Sequence, residues 1–228
     1  MSRMDKSKPL SLFTMYLIFL LALAGCHGRK NPGSILGDSP SGGKDSTFLF
    51  NGRDLGGWEI TQFGPQGPVY VSGESIVLGM GDGCTGVTWK GDFPKVGYEI
   101  TLEARRVEGN DFFCGITFPA GDFPCTLILG GWGGTVVGLS SINGMDASEN
   151  ETTVLRSFEK GRWYAVRLRV AGDRISAWID NESVVDFEIG DKILSIRPEV
   201  YLSLPFGIAS WRTTGEVRNI RLNRIDQP

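Results

Sequence analysis

The chain has 228 residues, a formal net charge of −3, four cysteines and a single histidine. After residue 46 it is long enough for one domain with a full core, and its 32 glycines indicate many turns. Lysine and arginine do not cluster among aromatic residues, so the composition argues against a nucleic-acid-binding protein.

The first 26 residues have the features of a secretory signal. Basic residues precede a short apolar run over residues 10–24, which ends in Leu23-Ala24-Gly25-Cys26. Small residues before a cysteine resemble a bacterial lipobox, at which cleavage leaves a diacylated cysteine as the new N-terminus. We therefore predict a lipoprotein signal at 1–26 and a membrane anchor at Cys26. The alternative is an ordinary cleaved signal peptide in which the cysteine occurs by chance.

Residues 27–46 are rich in Gly, Ser, Pro, Asp and Lys and predict a flexible tether. His27, rather than Asp, follows Cys26, which favours the outer over the inner membrane if the host has two. The domain is then predicted to face the periplasm or the exterior. His27 is the only histidine, so the domain after the tether lacks the commonest general base and metal ligand.

Residues 49–58 carry the pattern Leu-Phe-Asn-Gly-x-x-Leu-x-x-Trp. Two apolar residues that run into Asn51-Gly52 predict a short strand followed by a tight turn. Trp58 is predicted to pack back on the core as an aromatic anchor.

Strict alternation of apolar and polar residues predicts the rest of the domain. In residues 97–105, Tyr98, Ile100, Leu102 and Ala104 share one face. Similar patterns recur over residues 163–170, 175–179, 184–187 and 218–225. No sustained helical period is present, and only residues 158–161 suggest one short helical turn. The sequence predicts an all-β sandwich of two antiparallel sheets over 47–226, of the jelly-roll type.

Three cysteines follow Cys26, namely Cys84, Cys114 and Cys125. A hairpin folded about Pro119/Ala120 would place Cys114 and Cys125 opposite each other. An oxidising periplasm would permit a disulfide there. Two small buried thiols on one face are the alternative, and the spacing leaves both open.

Several segments together resemble the 3-keto-disaccharide hydrolase family, also called DUF1080. They are the 49–58 pattern, the Tyr-Glu-Ile strand at 98–100, the Gly-Asn-Asp at 109–111, the Gly-Arg-Trp-Tyr at 161–164 and the Gly-Ile-Ala at 207–209. The resemblance implies a concanavalin A-like jelly roll that cleaves 3-keto-glycosides by elimination or hydrolysis. The chain departs from the family at 110–116, where members often read Asn-Ser-Gly-Ile.

Proteins bind carbohydrates through aromatic side chains, which contact the sugar ring, and through polar side chains, which bind its hydroxyl groups. Trp132 lies between two pairs of glycines, which let the backbone approach a ligand closely, so it is a candidate for stacking on a sugar ring. The alternative is that Trp132 fills a gap in the core. Asn110, Asn143 and Arg212 are further candidates for substrate binding, although Asn110 also suits a turn and Arg212 an ordinary ion pair.

In a 3-keto sugar the ketone acidifies the proton on C2, and a carboxylate can remove it. Asp111, Asp146 and Glu149 are the candidate catalytic residues, and spacing alone does not choose among them. Residues 142–152 are dense in oxygen ligands and could hold a divalent cation, or form a solvated polar loop. We predict that Trp132 lies beside the open sheet face, near Asp111 and the 143–149 loop.

Two functions from different classes follow. The first is an enzyme that processes 3-keto-glycosides, which the resemblance implies. The second is a non-catalytic carbohydrate-binding module on a lipid anchor, which the absence of a histidine from the domain and the short central loops favour.

Overall fold

The structure, a computed structural model, describes residues 46–225. The predicted lipobox at Cys26 and most of the tether lie outside these residues. The strands are β1 (Ser46–Phe48), β2 (Trp58–Ile60), β3 (Val69–Ser72), β4 (Ser75–Leu78), β5 (Cys84–Trp89), β6 (Tyr98–Glu108), β7 (Cys114–Ala120), β8 (Phe123–Gly131), β9 (Val136–Ser140), β10 (Val154–Leu155), β11 (Tyr164–Ala171), β12 (Arg174–Ile179), β13 (Glu182–Glu188), β14 (Gly207–Trp211) and β15 (Thr214–Arg224). A 3₁₀ helix spans Pro198–Ser203. Among the described residues, no helix has the length and apolar character needed to span a membrane.

The strands form two antiparallel sheets. The eight-stranded sheet has the order β13-β12-β11-β6-β15-β4-β3, with β1 paired to the far end of β15. The seven-stranded sheet has the order β10-β9-β8-β7-β14-β5-β2. The predicted all-β class with two antiparallel sheets is therefore confirmed.

Alternating side chains of both sheets fill the space between them. On β6, Tyr98 and Ile100 are at most 1% exposed, and Ile100 lies opposite Leu168 of β11. From the other sheet, Leu127 and Leu129 of β8 enter the same hydrophobic cluster and are fully buried. The intervening residues of each strand point away from this core, so each sheet has one outer face.

The opening pattern forms a turn that is anchored by its tryptophan. Asn51 Oδ1 accepts hydrogen bonds from the backbone amides of Arg53 (2.8 Å) and Asp54 (3.0 Å). Trp58 is buried, and its indole N–H donates to the Leu49 carbonyl at 2.8 Å. The predicted strand over Leu49 and Phe50 is wrong by two residues, because β1 ends at Phe48. Leu49 still donates its backbone amide to the Ile220 carbonyl of β15 at 2.9 Å, beside the bulge that β15 forms in its pairing with β6 between Arg218 and Arg221.

We expect Trp58→Phe to lower the free energy of unfolding by roughly 1–3 kcal/mol, since the buried Leu49 carbonyl would lose its partner. Urea denaturation measures this loss. Trp132→Phe makes the same chemical change at a tryptophan that is 40% exposed and should have little effect. Equal losses in the two variants would contradict the anchoring role of the indole N–H.

Of the two arrangements left open for Cys114 and Cys125, the structure has the two buried thiols without a disulfide. The hairpin turns at Gly121 and Asp122, so Cys114 lies opposite Leu129 and Cys125 opposite Phe118. Gly121 has φ +68°, which explains why the chain reverses there rather than about Pro119/Ala120. Both thiols are free and fully buried, and burial raises the pKa of each to about 12.

The predicted helical turn at 158–161 is also wrong, because the chain makes only a simple turn there, with Gly161 at φ +80°. Within residues 46–225 the one helical element lies at Pro198–Ser203, where a proline stands at the helix start. Proline suits that position since its φ is fixed near the helical value and no amide donor is needed.

Candidate functional site

A cleft of about 240 Å³ lies on the outer face of the seven-stranded sheet. Thr126 and Ile128 of β8 line it, and they alternate with Leu127 and Leu129, which enter the core. The residues that line the cleft are Cys84, Asp111, Phe112, Thr126, Ile128, Trp132, Ser140, Arg197, Glu199, Val200 and Trp211.

Strand residues form the floor of the cleft. Cys84 of β5 lies opposite Trp211 of β14 in the ladder, and Thr126 Oγ1 is 3.1 Å from Thr117 Oγ1 on β7. Burial raises the pKa of Cys84 to about 12, and the negative charge of Glu199 adds to this shift. The Cys84 thiol is therefore neutral near pH 7 and is not an activated nucleophile.

Asp111, Phe112 and Trp132 form one border of the cleft, here called the tryptophan rim. The Asp111 carboxylate accepts hydrogen bonds from the backbone amides of Phe112 (2.8 Å) and Gly133 (3.5 Å). The Asp111 amide donates to Thr213 Oγ1 at 3.0 Å. These bonds place the carboxylate directly beside the turn that carries Trp132.

Trp132 is 40% exposed, so it does not fill a gap in the core. Its φ of +46° lies in the left-handed region, which is uncommon for a bulky residue and costs roughly 1–3 kcal/mol. An exposed indole held at this cost beside a carboxylate is typical of a binding site.

Two of the four glycines around Trp132 have a structural role that the sequence did not indicate. A Cβ at Gly130 would lie 2.3 Å from Nη2 of Arg106, and a Cβ at Gly134 would lie 3.3 Å from its Nη1. Both glycines also have positive φ. Gly130 and Gly134 therefore make room for a buried guanidinium, whereas the Cβ position of Gly133 faces open space.

Arg197, Glu199 and Val200 form a second border, here called the arginine rim. Arg197 Nη2 donates to Glu199 Oε1 at 2.8 Å, and Arg197 Nε donates to Glu199 Oε2 at 3.3 Å. The hydrogen bond from Arg197 lowers the pKa of Glu199 below its ordinary value. Glu199 is thus an ionised acceptor and a poor general base.

Of the three predicted catalytic carboxylates, the structure brings only Asp111 to the wall of the cleft. Asp146 lies behind the arginine rim, where it pairs with Arg197 and accepts hydrogen bonds from Ser141 Oγ (3.0 Å) and Ser140 Oγ (3.3 Å). Glu149 is exposed and does not line the cleft. Within residues 46–225, no group of three or more His, Cys, Asp or Glu side chains is arranged to hold a metal ion.

The other predicted binding residues lie outside the cleft. Asn110 is exposed, and Asn143 Oδ1 accepts from the Ile193 amide at 2.8 Å in a turn. Arg212 donates through Nε to the Asp82 carbonyl at 3.2 Å. The neighbouring Trp211 lines the cleft instead of Arg212.

Sequence reasoning missed Trp211 and the arginine rim. Trp211 had a signal, because alternation from the buried Ile208 places Trp211 on the opposite face of β14. The sequence contains no such signal for Arg197 and Glu199. Arg197 directly precedes a short 3₁₀ helix and Glu199 lies within it, and that segment has no periodic pattern.

Comparison with known protein families identifies the family of this chain. The model of a family described as the 3-keto-alpha-glucoside-1,2-lyase-like domain matches residues 45–223. The chain belongs to this family. The resemblance predicted from the 49–58 pattern and the strand segments is therefore confirmed. No curated protein sequence matches the chain.

Solved structures share the fold at low sequence identity. The Crh5 transglycosylase in complex with NAG is 13% identical with a TM-score of 0.57, over 80% of this chain and 85% of that one. The carbohydrate-binding module CBM66 from Bacillus subtilis is 16% identical with a TM-score of 0.51, over 78% and 100%. SCLam, an endo-beta-1,3(4)-glucanase of family GH16, is 11% identical with a TM-score of 0.50, over 78% and 91%. These likenesses confirm the concanavalin A-like jelly roll.

Proposed function

We propose that this domain binds a saccharide in the cleft and cleaves 3-keto-glycosides there by elimination or hydrolysis. The observation that carries the proposal is that the Trp132 indole and the Asp111 carboxylate line one cleft. Membership of the family supports the class of substrate.

The cleft supplies both kinds of contact that a sugar needs. The exposed indole of Trp132 offers a flat apolar surface for the C–H face of a pyranose ring. Glu199 and Asp111 offer acceptors for hydroxyl groups. Two carboxylates, Asp111 and Glu199, and one cation, Arg197, line the cleft, so the charge balance favours an uncharged saccharide over an acidic one.

Asp111 is the proposed general base. It takes the proton from C2, and the electron pair of that C–H bond forms a double bond to C1. The bond from C1 to the glycosidic oxygen then breaks, and the leaving oxygen takes up a proton. Addition of water to the double bond completes net hydrolysis. Asp146 and Glu199 are less suited to this step, because both are paired with Arg197.

The second candidate function is a non-catalytic carbohydrate-binding module. Asp111 and Glu199 are the only carboxylates among the lining residues, and Glu199 is held by Arg197. A site with one free carboxylate has no evident second group to protonate the leaving oxygen, which favours binding without turnover.

Incubation of the purified protein with 3-keto-disaccharides, with and without added divalent metal, separates the two functions. The enzyme is expected to release the free aglycone sugar, detected by mass spectrometry and NMR. Saturable binding without release supports the module. Absence of both binding and release contradicts the proposed use of the cleft.

We also propose that Cys26 is lipidated and that the domain lies at the cell envelope, in the outer membrane if the host has two. Cys26→Ser is expected to move the protein from the membrane fraction to the soluble fraction on immunoblots. Cys84→Ser, at a thiol buried within the domain, should leave the protein in the membrane fraction. Retention of Cys26→Ser in the membrane would contradict the lipid anchor.

A further inference from the structure

Arg106 of β6 is a buried cation without a carboxylate partner in the part of the chain that the structure describes. The residue is 5% exposed, and burial lowers the pKa of its guanidinium. Nη2 donates to three backbone carbonyls, those of Asp111 (3.2 Å), Gly130 (3.1 Å) and Gly134 (2.9 Å). One guanidinium nitrogen therefore forms hydrogen bonds to two separate backbone segments, one at Asp111 and one at residues 130–134.

These carbonyls belong to both parts of the tryptophan rim. One is the carbonyl of Asp111 itself, and the other two belong to the glycines on either side of the turn that carries Trp132. Thr213 and the Gly133 amide each make a single contact to Asp111. Arg106 binds the Asp111 segment and both sides of the Trp132 turn at once.

Hydrophobic packing does not account for an arginine at this position. Its Nε has no hydrogen-bond partner, although a buried donor without one costs roughly 1–3 kcal/mol. The guanidinium lies 5.2 Å from the Phe113 ring centroid and 5.8 Å from that of Phe158. An apolar side chain would avoid the cost of burying a charge, but it would leave the three carbonyls that Arg106 binds without their donor. The contribution specific to an arginine here is therefore its hydrogen bonds to the tryptophan rim.

We infer that Arg106 is a positioning residue, whose guanidinium fixes the Asp111 carboxylate and the Trp132 indole relative to each other in the cleft. Arg106 does not itself line the cleft, so it acts through the two backbone segments. This inference rests on the proposed function of the cleft, because it assigns the geometry that saccharide binding uses.

Arg106→Lys tests the inference, because it keeps the charge but replaces a planar fork with a single ammonium group on a shorter stem. The probe is the protein labelled with 5-fluorotryptophan and observed by ¹⁹F NMR without saccharide. The chain has six tryptophans, and Trp132→Ala assigns the resonance of interest. We expect the Trp132 resonance to shift or broaden while that of the buried Trp58 stays in place.

Arg105→Lys is the matched control, at the adjacent residue of the same strand. Arg105 points to the outer face of the eight-stranded sheet, where it pairs with Glu216 and lies 4.5 Å from the Trp163 ring centroid. This variant should move the Trp163 resonance and leave that of Trp132 unchanged. A folded Arg106→Lys protein with an unmoved Trp132 resonance would overturn the inference.

If Arg106→Lys does not fold, Gly134→Ala takes its place, since the new Cβ would crowd Nη1 of Arg106 at 3.3 Å and the Asn110 carbonyl at 3.0 Å. It should displace the Trp132 resonance in the same way, and an unmoved resonance would again overturn the inference.

Saccharide affinity supplies a second, independent readout. Arg106→Lys should weaken binding by up to about 30-fold, the loss expected from removing the Trp132 indole, because it displaces that indole rather than deleting it. In a Trp132→Ala background the same substitution should add much less, whereas full additivity would contradict action through Trp132. If the wild-type protein binds no saccharide, the proposed function fails, and the ¹⁹F comparison still decides the role of Arg106.

Discussion

Asp111→Asn is expected to lower kcat for a 3-keto-disaccharide by about 10²–10⁴-fold, the usual contribution of a general base. The amide has the same size and can still accept the hydrogen bond from the Phe112 amide at Oδ1. It cannot take up the C2 proton. Saccharide affinity should therefore change little, and the loss should appear in kcat rather than in KM. Steady-state kinetics with direct binding measurements separate the two quantities.

Two matched amide variants show whether the loss belongs to Asp111. Glu149→Gln, at an exposed residue outside the cleft, should leave kcat unchanged. Asp146→Asn disturbs the support of the arginine rim and should affect KM more than kcat. Turnover by Asp111→Asn at the wild-type rate would show that another group is the base.

Trp132→Ala is expected to weaken saccharide binding by about 2 kcal/mol or more, which is about 30-fold or more in Kd. The indole is the largest exposed apolar surface that lines the cleft, so its removal deletes the stacking platform. Folding should suffer little, because the side chain is 40% exposed and alanine relieves part of the crowding at φ +46°. Isothermal titration calorimetry and urea denaturation on the same samples measure both effects.

Trp163→Ala is the matched control on the other sheet. Trp163 lies between Arg105 and Arg218, at 4.5 Å and 4.1 Å from its ring centroid, on the outer face of the eight-stranded sheet. It should leave saccharide affinity unchanged. Equal losses of affinity in the two variants would show that Trp132 has no specific role.

The sandwich was predictable because burial on one face imposes alternation on every long strand. Tyr98 and Ile100 on β6 and Leu168 on β11 lie in the core as the pattern predicts. The register of the β7–β8 hairpin was harder to predict from the sequence, because one glycine at positive φ, Gly121, decided where the chain reverses. That choice separated Cys114 from Cys125.

Two of the residues that line the candidate site could be found from the sequence. Asp111 and Trp132 stand next to strand ends and carry suitable chemistry, so local reasoning was enough to select them. Arg197 and Glu199 reach the cleft only because a segment far along the chain folds beside β5 and β14. No local pattern encodes that long-range contact.

The alternation of apolar and polar residues along β6 indicated that Arg106 is buried. This residue continues the even-numbered face of β6 after Leu102 and Ala104, so its position alone places it in the core. What the sequence did not contain was the reason for a buried arginine, namely the carbonyls of Gly130 and Gly134 on another strand and its turn.

The central claim is that a saccharide occupies the cleft between the tryptophan rim and the arginine rim. A crystal structure of Asp111→Asn soaked with a 3-keto-disaccharide tests it most directly, since the substitution should preserve binding while slowing turnover. We expect a sugar ring stacked on the Trp132 indole, with C2 beside residue 111 and hydroxyl groups on Glu199. A saccharide bound elsewhere, for example in the cavity lined by Phe48 and Arg218, with the cleft empty, would contradict the account.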